Sequence, residues 1–598
     1  LQAVLHRTAD YSKRKIAGQY ATPPALAALL VQLTMDDTTA PFLDPFCGTG
    51  SIARAAFELK RENGQTPAQA MQGVWAGDKF AYPLQIAALA LSEPQNRGEV
   101  LHVFQADAFN LVPGQIIDFQ DPNSGAKVAA ALPEFAHVAC NLPFVPFEER
   151  ETETPLDAST QALVRGAYPD AGLSHKSDLY AFVPFALWRL LQDDARLGVI
   201  ISNAWLGANW GAAFRKLLLH FYHLETVIVS GKGRWFQNAQ VVTNLLILRK
   251  RAAISAPAEH EATAFVTLHR ALDELQGETT GEIASAVLLR DQTQNEISMR
   301  EYSHREIAGF EQMLEWSAFF ADLEWLHRAR EKLVAAASLF EIKRGERRGW
   351  DALFYPPSGH GIETPYIKPV LKSSSEIESL IATADGEAFC CGRSMKELQS
   401  LGHTGALKWI RRFQHATNET GQPLPEVLRR AGLHWHEMPD ATLADLVTSL
   451  NPERRIFIAR MQRRSFVNQR LIRFTKRAAQ TDLDLCHALF NSVIGIFFLE
   501  ALGFGRGLGA LDLNATKLKN RLPILDPALL TSAQSAEIKR RFRPVLNRPV
   551  ENIEDELQRA DRIAFDEAVL RAYGLQQSHE TILCAFQTLY QIRLAVKE

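Results

Sequence analysis

The chain has 598 residues, more than one hydrophobic core can serve, so about three to four domain-sized units are expected. With 46% hydrophobic and 22% charged residues it has an ordinary globular composition, which excludes collagen, a long coiled coil and wholesale disorder. Its 65 basic and 68 acidic residues leave a net charge of −3, so any surface for a polyanion must arise from local clustering.

In chain order, the start carries the basic run Ser12-Lys13-Arg14-Lys15 without the apolar stretch of a secretory signal. The first residue is Leu1, not methionine, which leaves open a segment upstream. Residues 1–250 alternate short apolar runs with helical patterns. The runs Phe42-Leu43, Gly73–Trp75, Val100–Phe104, His137–Ala139, Gly198–Ser202, Thr226–Val229 and Asn244–Leu248 read as buried strands. Helices are expected over Pro24–Leu33, Ser51–Lys60, Tyr82–Leu91 and Leu179–Leu191. Strand and helix in alternation predict an α/β domain with a mostly parallel, Rossmann-like sheet. Residues 251–337 read as a connecting region with a helical stretch over Ile307–Ala337. Residues 338–530, richer in Gly, Pro and aromatics, read as a mixed α/β domain of short strands. Residues 531–598 are helical again. Six cysteines with no C-x-x-C spacing suit a reducing cytoplasm rather than a disulfide framework. No apolar run reaches the about 18 residues of a bilayer span; the longest, near Val493–Leu502, is interrupted by Glu500.

The chemistry concentrates at predicted strand ends. Asp44-Pro45-Phe46-Cys47-Gly48-Thr49-Gly50 lies between a strand and a helix. Its glycines permit a tight turn and close backbone approach, and the helix start offers free N–H groups. Gly77-Asp78-Lys79 ends the next strand, where a carboxylate can hold both hydroxyls of a ribose. Ala106-Asp107-Ala108 ends a third, and its carboxylate can accept from an adenine amine. Each alone is an ordinary surface carboxylate; three at consecutive strand ends point to a ligand. Cys140-Asn141-Leu142-Pro143-Phe144 ends a fourth strand. The Asn141 side-chain oxygen and the Leu142 carbonyl can both accept from an exocyclic amine, Pro143 stiffens the turn, and Phe144 offers a flat face to a base.

In this order the motifs resemble the S-adenosylmethionine-dependent N6-adenine methyltransferases of DNA, in the gamma arrangement with cofactor motifs first and target recognition last. The resemblance spans roughly residues 12–250 and is looser beyond about 330. Gly18-Gln19-Tyr20-Ala21-Thr22-Pro23-Pro24 resembles the family's N-terminal cofactor motif. It implies S-adenosyl-L-methionine as cofactor, held by Tyr20, Thr22, Asp44, Phe46, Gly48, Gly50, Asp78, Lys79, Asp107 and Ala108, with no metal. It makes Asn141–Phe144 the catalytic tetrapeptide. Arg196–Asn203 and Trp235–Leu248 resemble the later strands, with Phe236 closing the base from the face opposite Phe144. The family usually has proline where this chain has Leu142; because the needed atom is a backbone carbonyl, Leu142→Pro is expected to be tolerated. Asn-Leu-Pro-aromatic also resembles ribosomal-RNA adenine dimethyltransferases, which are much shorter.

In the C-terminal half, residues 341–350, Pro365–Lys372, Asn491-Ser492 and Leu518–Ile524 resemble the target-recognition domains of single-chain type IIG-like modification enzymes. Arg344, Arg347 and Arg348 fall there. Residues 451–480 hold nine Lys or Arg against one acidic residue, with Phe457, Phe466 and Phe474 interleaved. This predicts phosphate contacts from Arg463, Arg464, Arg470 and Arg473, against the alternative of a solvated face. His434-Trp435-His436 lacks the further ligands of a metal site. Glu341-Ile342-Lys343 lacks the upstream acidic partner of a nuclease core, so DNA cleavage is not expected. The expected function is methylation of adenine N6 in double-stranded DNA by a cytoplasmic enzyme of a restriction–modification or defence system, with or without further subunits. The alternatives are an RNA adenine methyltransferase and a catalytically weak cofactor-binding DNA adaptor.

Overall fold

A computed structural model describes residues 20–146, 155–167, 173, 177–236, 241–275, 277–346, 349–438, 443–505 and 509–595. Gly18, Gln19, Arg347 and Arg348 lie outside the described residues. The chain forms two compact units, Leu1–Ala321 with Phe504–Gly509 and Thr588–Glu598, and Asp322–Gly503 with Ala510–Gln587.

The first unit is built on a nine-stranded sheet. Its helices α1 (Pro24–Thr34), α2 (Ser51–Glu62) and α3 (Ala81–Leu91) alternate with β1 (Phe42–Asp44), β2 (Val74–Asp78) and β3 (His102–Gln105). A hairpin of β4 (Ile116–Gln120) and β5 (Lys127–Ala131) stands outside that sheet. The sheet continues with β6 (Phe135–Asn141), β7 (Leu191–Ser202), β8 (Tyr222–Ser230), β9 (Thr243–Lys250), β10 (Ala262–Leu268) and β11 (Ile297–Ser303), with α4 (Gly211–Phe221) before β8 and α5 (Glu278–Leu288) before β11. The spatial order is β11-β10-β8-β9-β7-β6-β1-β2-β3. Strands β3, β2, β1, β6 and β7 run parallel, and β9 is inserted antiparallel between β7 and β8. Chain order reverses between β1 and β6, the place where open parallel sheets bind ligands beyond their carboxyl ends. All seven apolar runs read from the sequence overlap these strands.

Both faces of the sheet are covered, which is why its strands read as continuous apolar runs. Ala264 and Val266 of β10 join the core built from Leu26, Leu30, Ile52, Phe57 and Ala87. Phe265, between them, turns to the other face and packs against Trp316, Phe319 and Phe320.

Residues 251–337 differ from the helical connection expected of them. They supply β10, which pairs parallel with β8, and β11, which pairs antiparallel with β10. The stretch Ile307–Ala337 is broken into His304–Phe310, a 3-10 turn at Trp316–Phe320, Glu324–Ala329 and a strand at Leu333–Ala335. Its aromatic residues cap the sheet face instead of lining one side of a helix, so their spacing mimics a helical period without forming it.

The second unit holds a sheet in which β13 (Phe340–Arg344), β19 (Leu471–Lys476), β17 (Ala444–Ser449), β18 (Ala459–Val467), β14 (Ile367–Leu371) and β16 (Gly386–Phe389) are neighbours in that order, with β15 (Ile381–Ala382) also on β18 and β12 (Leu333–Ala335) outside it. Helices are more frequent over 338–530 than expected: α6 (Thr404–Gln414), α7 (Leu483–Phe490) and α8 (Val493–Leu502) all lie there. Every residue of α8 is buried, so it shows no polar face from which sequence periodicity reads a helix. Among the described residues no single helix is long and apolar enough to cross a membrane. His434 and His436 stack on each other, and His436 Nε2 meets the Arg393 carbonyl at 3.0 Å, a packing role.

The turn from β1 into α2 fixes the site. Gly48 and Gly50 have φ of +50° and +84°, the left-handed region that costs an L side chain about 1–2 kcal/mol. At Gly50 a Cβ would also lie 2.9 Å from the Ala87 Cα of α3. Gly50→Ala is therefore expected to destabilise the first unit by at least about 2 kcal/mol. Denaturant unfolding followed by Trp fluorescence, compared with wild type, measures it.

Candidate active site

Four strand ends converge at the reversal point. Behind β1, Cys47 N–H donates to the Gly77 carbonyl at 2.9 Å, and Gly48 N–H donates to Asp78 Oδ2 at 2.9 Å. Asp78 Oδ1 accepts from Phe80 N–H at 2.9 Å. One carboxylate thus clasps the loops after β1 and β2. It is 5% exposed, and burial raises its pKa against these hydrogen bonds. Each oxygen retains a further lone pair, which suits a vicinal diol. Gly77, named within its motif but given no role there, has a structural one: a Cβ at this position would lie 2.9 Å from the Phe104 ring of β3, so glycine lets that ring pack against β2. Its signal was a glycine directly before a strand-end carboxylate.

Asp44 is less well satisfied. Its Oδ1 accepts from Phe46 N–H at 3.2 Å, but Oδ2 is buried with no partner among the described residues. Desolvation, with a smaller contribution from Asp78, pushes its pKa well above the usual carboxylate range. A buried acceptor without a donor is costly. Above Gly48 a side chain would meet nothing within 4 Å, so the loop is open on that side. Asp107 accepts from Phe109 N–H at 3.1 Å and pairs with Lys79 Nζ at 3.4 Å; Ala108 is buried beside it. Phe46 is half-buried. Upstream, Thr22 is buried and Tyr20 half-buried, just before α1.

At the end of β6, Asn141 Nδ2 donates to the Tyr20 carbonyl at 3.0 Å, while Asn141 Oδ1 is buried without a partner among the described residues. Phe144 and Phe236 stand 5.9 Å apart, edge to face at 79°. Tyr20 touches both, at 5.9 and 6.4 Å. The expected pair is therefore adjacent, but not as two parallel walls: a base between them needs about 7 Å, twice an ordinary stacking contact of about 3.5 Å. In the free protein the three rings fill each other's space. Trp235, next to Phe236, has a buried indole N–H with no partner among the described residues, a second polar group sequence reasoning missed.

Leu142 is 1% exposed, and its N–H donates to the Ile200 carbonyl of β7 at 3.1 Å. The expectation that Leu142→Pro is tolerated is corrected by this bond. Proline lacks the donor, and leaving a buried carbonyl unpaired costs about 1–3 kcal/mol. Pro143 follows in the turn, where its carbonyl accepts from Val145 N–H at 2.9 Å.

The arginines read as phosphate contacts lie in the second unit and divide. Arg463, Arg464 and Arg470 are exposed. Arg464 Nε is held by buried Asp445 at 3.1 Å. The β17–β18 register passes from Ala444↔Ser465 to Leu446↔Arg460, so residues 461–464 form a bulge opposite Asp445, exposed from Gln462 to Arg464. Arg344 is exposed and donates to the Gln469 carbonyl at 2.6 Å. Arg473 differs: it is 5% exposed and faces Glu341 and Thr475 at 3.4 and 3.3 Å. Strand alternation turns it onto the sheet, away from any phosphate. Phe457, Phe466 and Phe474 are likewise buried core residues. Glu341 also pairs with Lys343 at 2.5 Å.

Residues 3–280 match the sequence profile of the family described as N-6 DNA Methylase. The match lies in the first unit and spans just under half of the chain. Among solved structures, the type IIL restriction-modification enzyme MmeI in complex with DNA is similar at 13% identity and a TM-score of 0.51, over 99% of this chain and 76% of that one. This likeness extends the shared fold across both units. The type IIG restriction endonuclease BpuSI is similar at 14% identity and TM-score 0.44, over 100% of this chain and 68% of that one. A type I methyltransferase subunit from Streptococcus thermophilus is similar at 17% identity and TM-score 0.35, over 50% and 60%. Residues of the first unit suit S-adenosylmethionine, with a diol acceptor at Asp78, a buried carboxyl oxygen at Asp44 without a partner among the described residues, and an open glycine loop.

Asp78→Asn keeps one acceptor oxygen but turns an N–H₂ toward Gly48 or Phe80. S-adenosylmethionine affinity is expected to fall at least tenfold, the equivalent of one missing hydrogen bond to a charged group at about 1.5 kcal/mol. Titration calorimetry giving an unchanged affinity removes Asp78 from the cofactor site.

Proposed function

We propose that the chain methylates the N6 amine of adenine within a specific sequence of double-stranded DNA, as the modification activity of a restriction–modification system. The observation that carries this reading is the buried, unpartnered Asn141 Oδ1 at the end of β6, beside Phe144 and Phe236. An exocyclic amine is weakly nucleophilic and does not need a strong base, but it must be turned so that its lone pair faces the methyl group. Asn141 Oδ1 and the Leu142 carbonyl accept its two hydrogens and set that direction, and catalysis is mainly positioning. The cofactor supplies an electrophilic methyl on a sulfonium. A base inside a duplex cannot reach these groups, so it must be extruded; the aromatic rings repay part of the cost by stacking. The restriction–modification setting is supported by the kinds of enzyme to which the fold is similar.

In the second unit, the exposed Arg463, Arg464, Arg470 and Arg344 supply a DNA-facing surface in this reading. Replacing Arg463, Arg464 and Arg470 with glutamine is expected to weaken DNA binding across sequences. The log–log salt slope should flatten by about 0.9 for each phosphate that is no longer neutralised. Fluorescence anisotropy from low to moderate salt measures it; an unchanged slope makes these arginines a solvated face.

The deciding experiment transfers a labelled methyl group to DNA, followed by digestion to nucleosides. N6-methyldeoxyadenosine from wild type is expected. Asn141→Ala is expected to lose transfer at least a hundredfold while keeping cofactor affinity within about threefold, because its hydrogen bond acts on the amine during transfer. Label in RNA alone, or in no nucleic acid, contradicts the proposal.

A further inference from the structure

The two ends of the Asn141 amide are not equivalent in this structure. Nδ2 is bonded to the Tyr20 carbonyl at 3.0 Å, and Oδ1 has no partner among the described residues. Turning the amide over would set Oδ1 against the Tyr20 carbonyl oxygen, two acceptors face to face, with no proton between them. The carbonyl therefore enforces the orientation in which oxygen is left free. A flipped amide would offer the target amine a donor where an acceptor is needed. The ring of the same residue packs on Phe144 at 5.9 Å and Phe236 at 6.4 Å, just ahead of α1.

We propose that Tyr20 is a positioning residue for methyl transfer, its ring anchoring it against Phe144 and Phe236 so that its main-chain carbonyl sets the Asn141 amide with the oxygen facing the acceptor amine. This rests on the adenine-N6 reading, and it differs from the cofactor-contacting role expected for Tyr20 from the sequence motif. It joins the segment before α1 to the acceptor pocket through one hydrogen bond. Tyr20→Phe keeps ring and carbonyl. Tyr20→Ala keeps the carbonyl but loses its anchor. An ester in place of the 20–21 peptide, made by inserting the α-hydroxy counterpart of Ala21, keeps the ring but weakens the carbonyl as an acceptor.

The test combines turnover, cofactor affinity and the side-chain amide resonances of Asn141 in protein labelled with ¹⁵N-asparagine, assigned by their loss in Asn141→Ala. For Tyr20→Ala and for the ester, kcat is expected to fall at least tenfold with S-adenosylmethionine affinity within threefold, and Tyr20→Phe, which keeps the ring, should lose less kcat than Tyr20→Ala. In wild type, one Asn141 amide proton should be shifted downfield by its hydrogen bond; in the ester and Tyr20→Ala it should move toward its solvent-exposed position. Resonances unmoved by both changes overturn the proposal. So does a Tyr20→Ala variant that loses cofactor affinity with kcat intact, which returns Tyr20 to the cofactor site, or a Tyr20→Phe variant as defective as Tyr20→Ala. If wild type methylates no adenine, the functional reading fails by itself, while the amide resonances still decide whether Tyr20 orients Asn141.

Discussion

The site depends on a buried carboxylate held by backbone donors. Asp78 accepts Gly48 N–H and Phe80 N–H, both at 2.9 Å, while 5% exposed. Hydrogen bonds to an ionised acceptor are roughly twice as strong as neutral ones, and they counter part of the desolvation, which still leaves the Asp78 pKa raised. The result ties the loop after β1 to the loop after β2. The positive φ of Gly48 and Gly50 shapes the loop whose Gly48 N–H joins that clasp. Asp44, a strand away, receives one backbone donor where Asp78 receives two, and it carries the conflict that remains.

Much of this was legible in the sequence because parallel strands are buried on both faces and end in turns. The runs through Leu43, Trp75, Val138 and Ile200 are apolar without alternation, and each is followed by a Gly, Asp or Asn at its end. Position alone thus singled out Asp44, Asp78, Asp107 and Asn141 as strand-end residues, and the structure places each of them at or just after the end of its strand. What escaped detection depends on contacts distant in sequence. β10 and β11 were hidden because Phe265, Trp316 and Phe319 pair across a sheet face rather than along one element. Helix α8 was hidden because it is buried all round. Arg473 was misread because a charge run does not reveal which side of a strand each residue takes. It points to Glu341, whereas Arg463 and Arg470 point outward.

The acceptor side shows a second kind of economy. Tyr20, Phe144 and Phe236 pack together where, in the proposed reaction, a base would stack. Aromatic pairs of this kind contribute about 0.5–1.5 kcal/mol beyond their area. An extruded base must displace at least one of them, and its own stacking returns about 1–3 kcal/mol. The exchange is close to balanced, so entry of the base is governed by what extrusion from the duplex costs. Asn141 is spared this competition: it is the last residue of β6, and its free oxygen is in place before any base arrives.

In the proposed cofactor site, Asp44 holds an uncompensated carboxyl oxygen that a cationic cofactor would relieve. The free protein holds Asp44 with a raised pKa. A bound sulfonium or ammonium favours the carboxylate and lowers that pKa, so between the two values binding expels a proton and affinity rises with pH. Titration calorimetry of S-adenosylmethionine binding in buffers of different ionisation enthalpy measures the proton directly. Release of up to one proton in that window, absent in Asp44→Asn, is the predicted result. Binding without proton exchange at any pH, or release that persists in Asp44→Asn, contradicts the account.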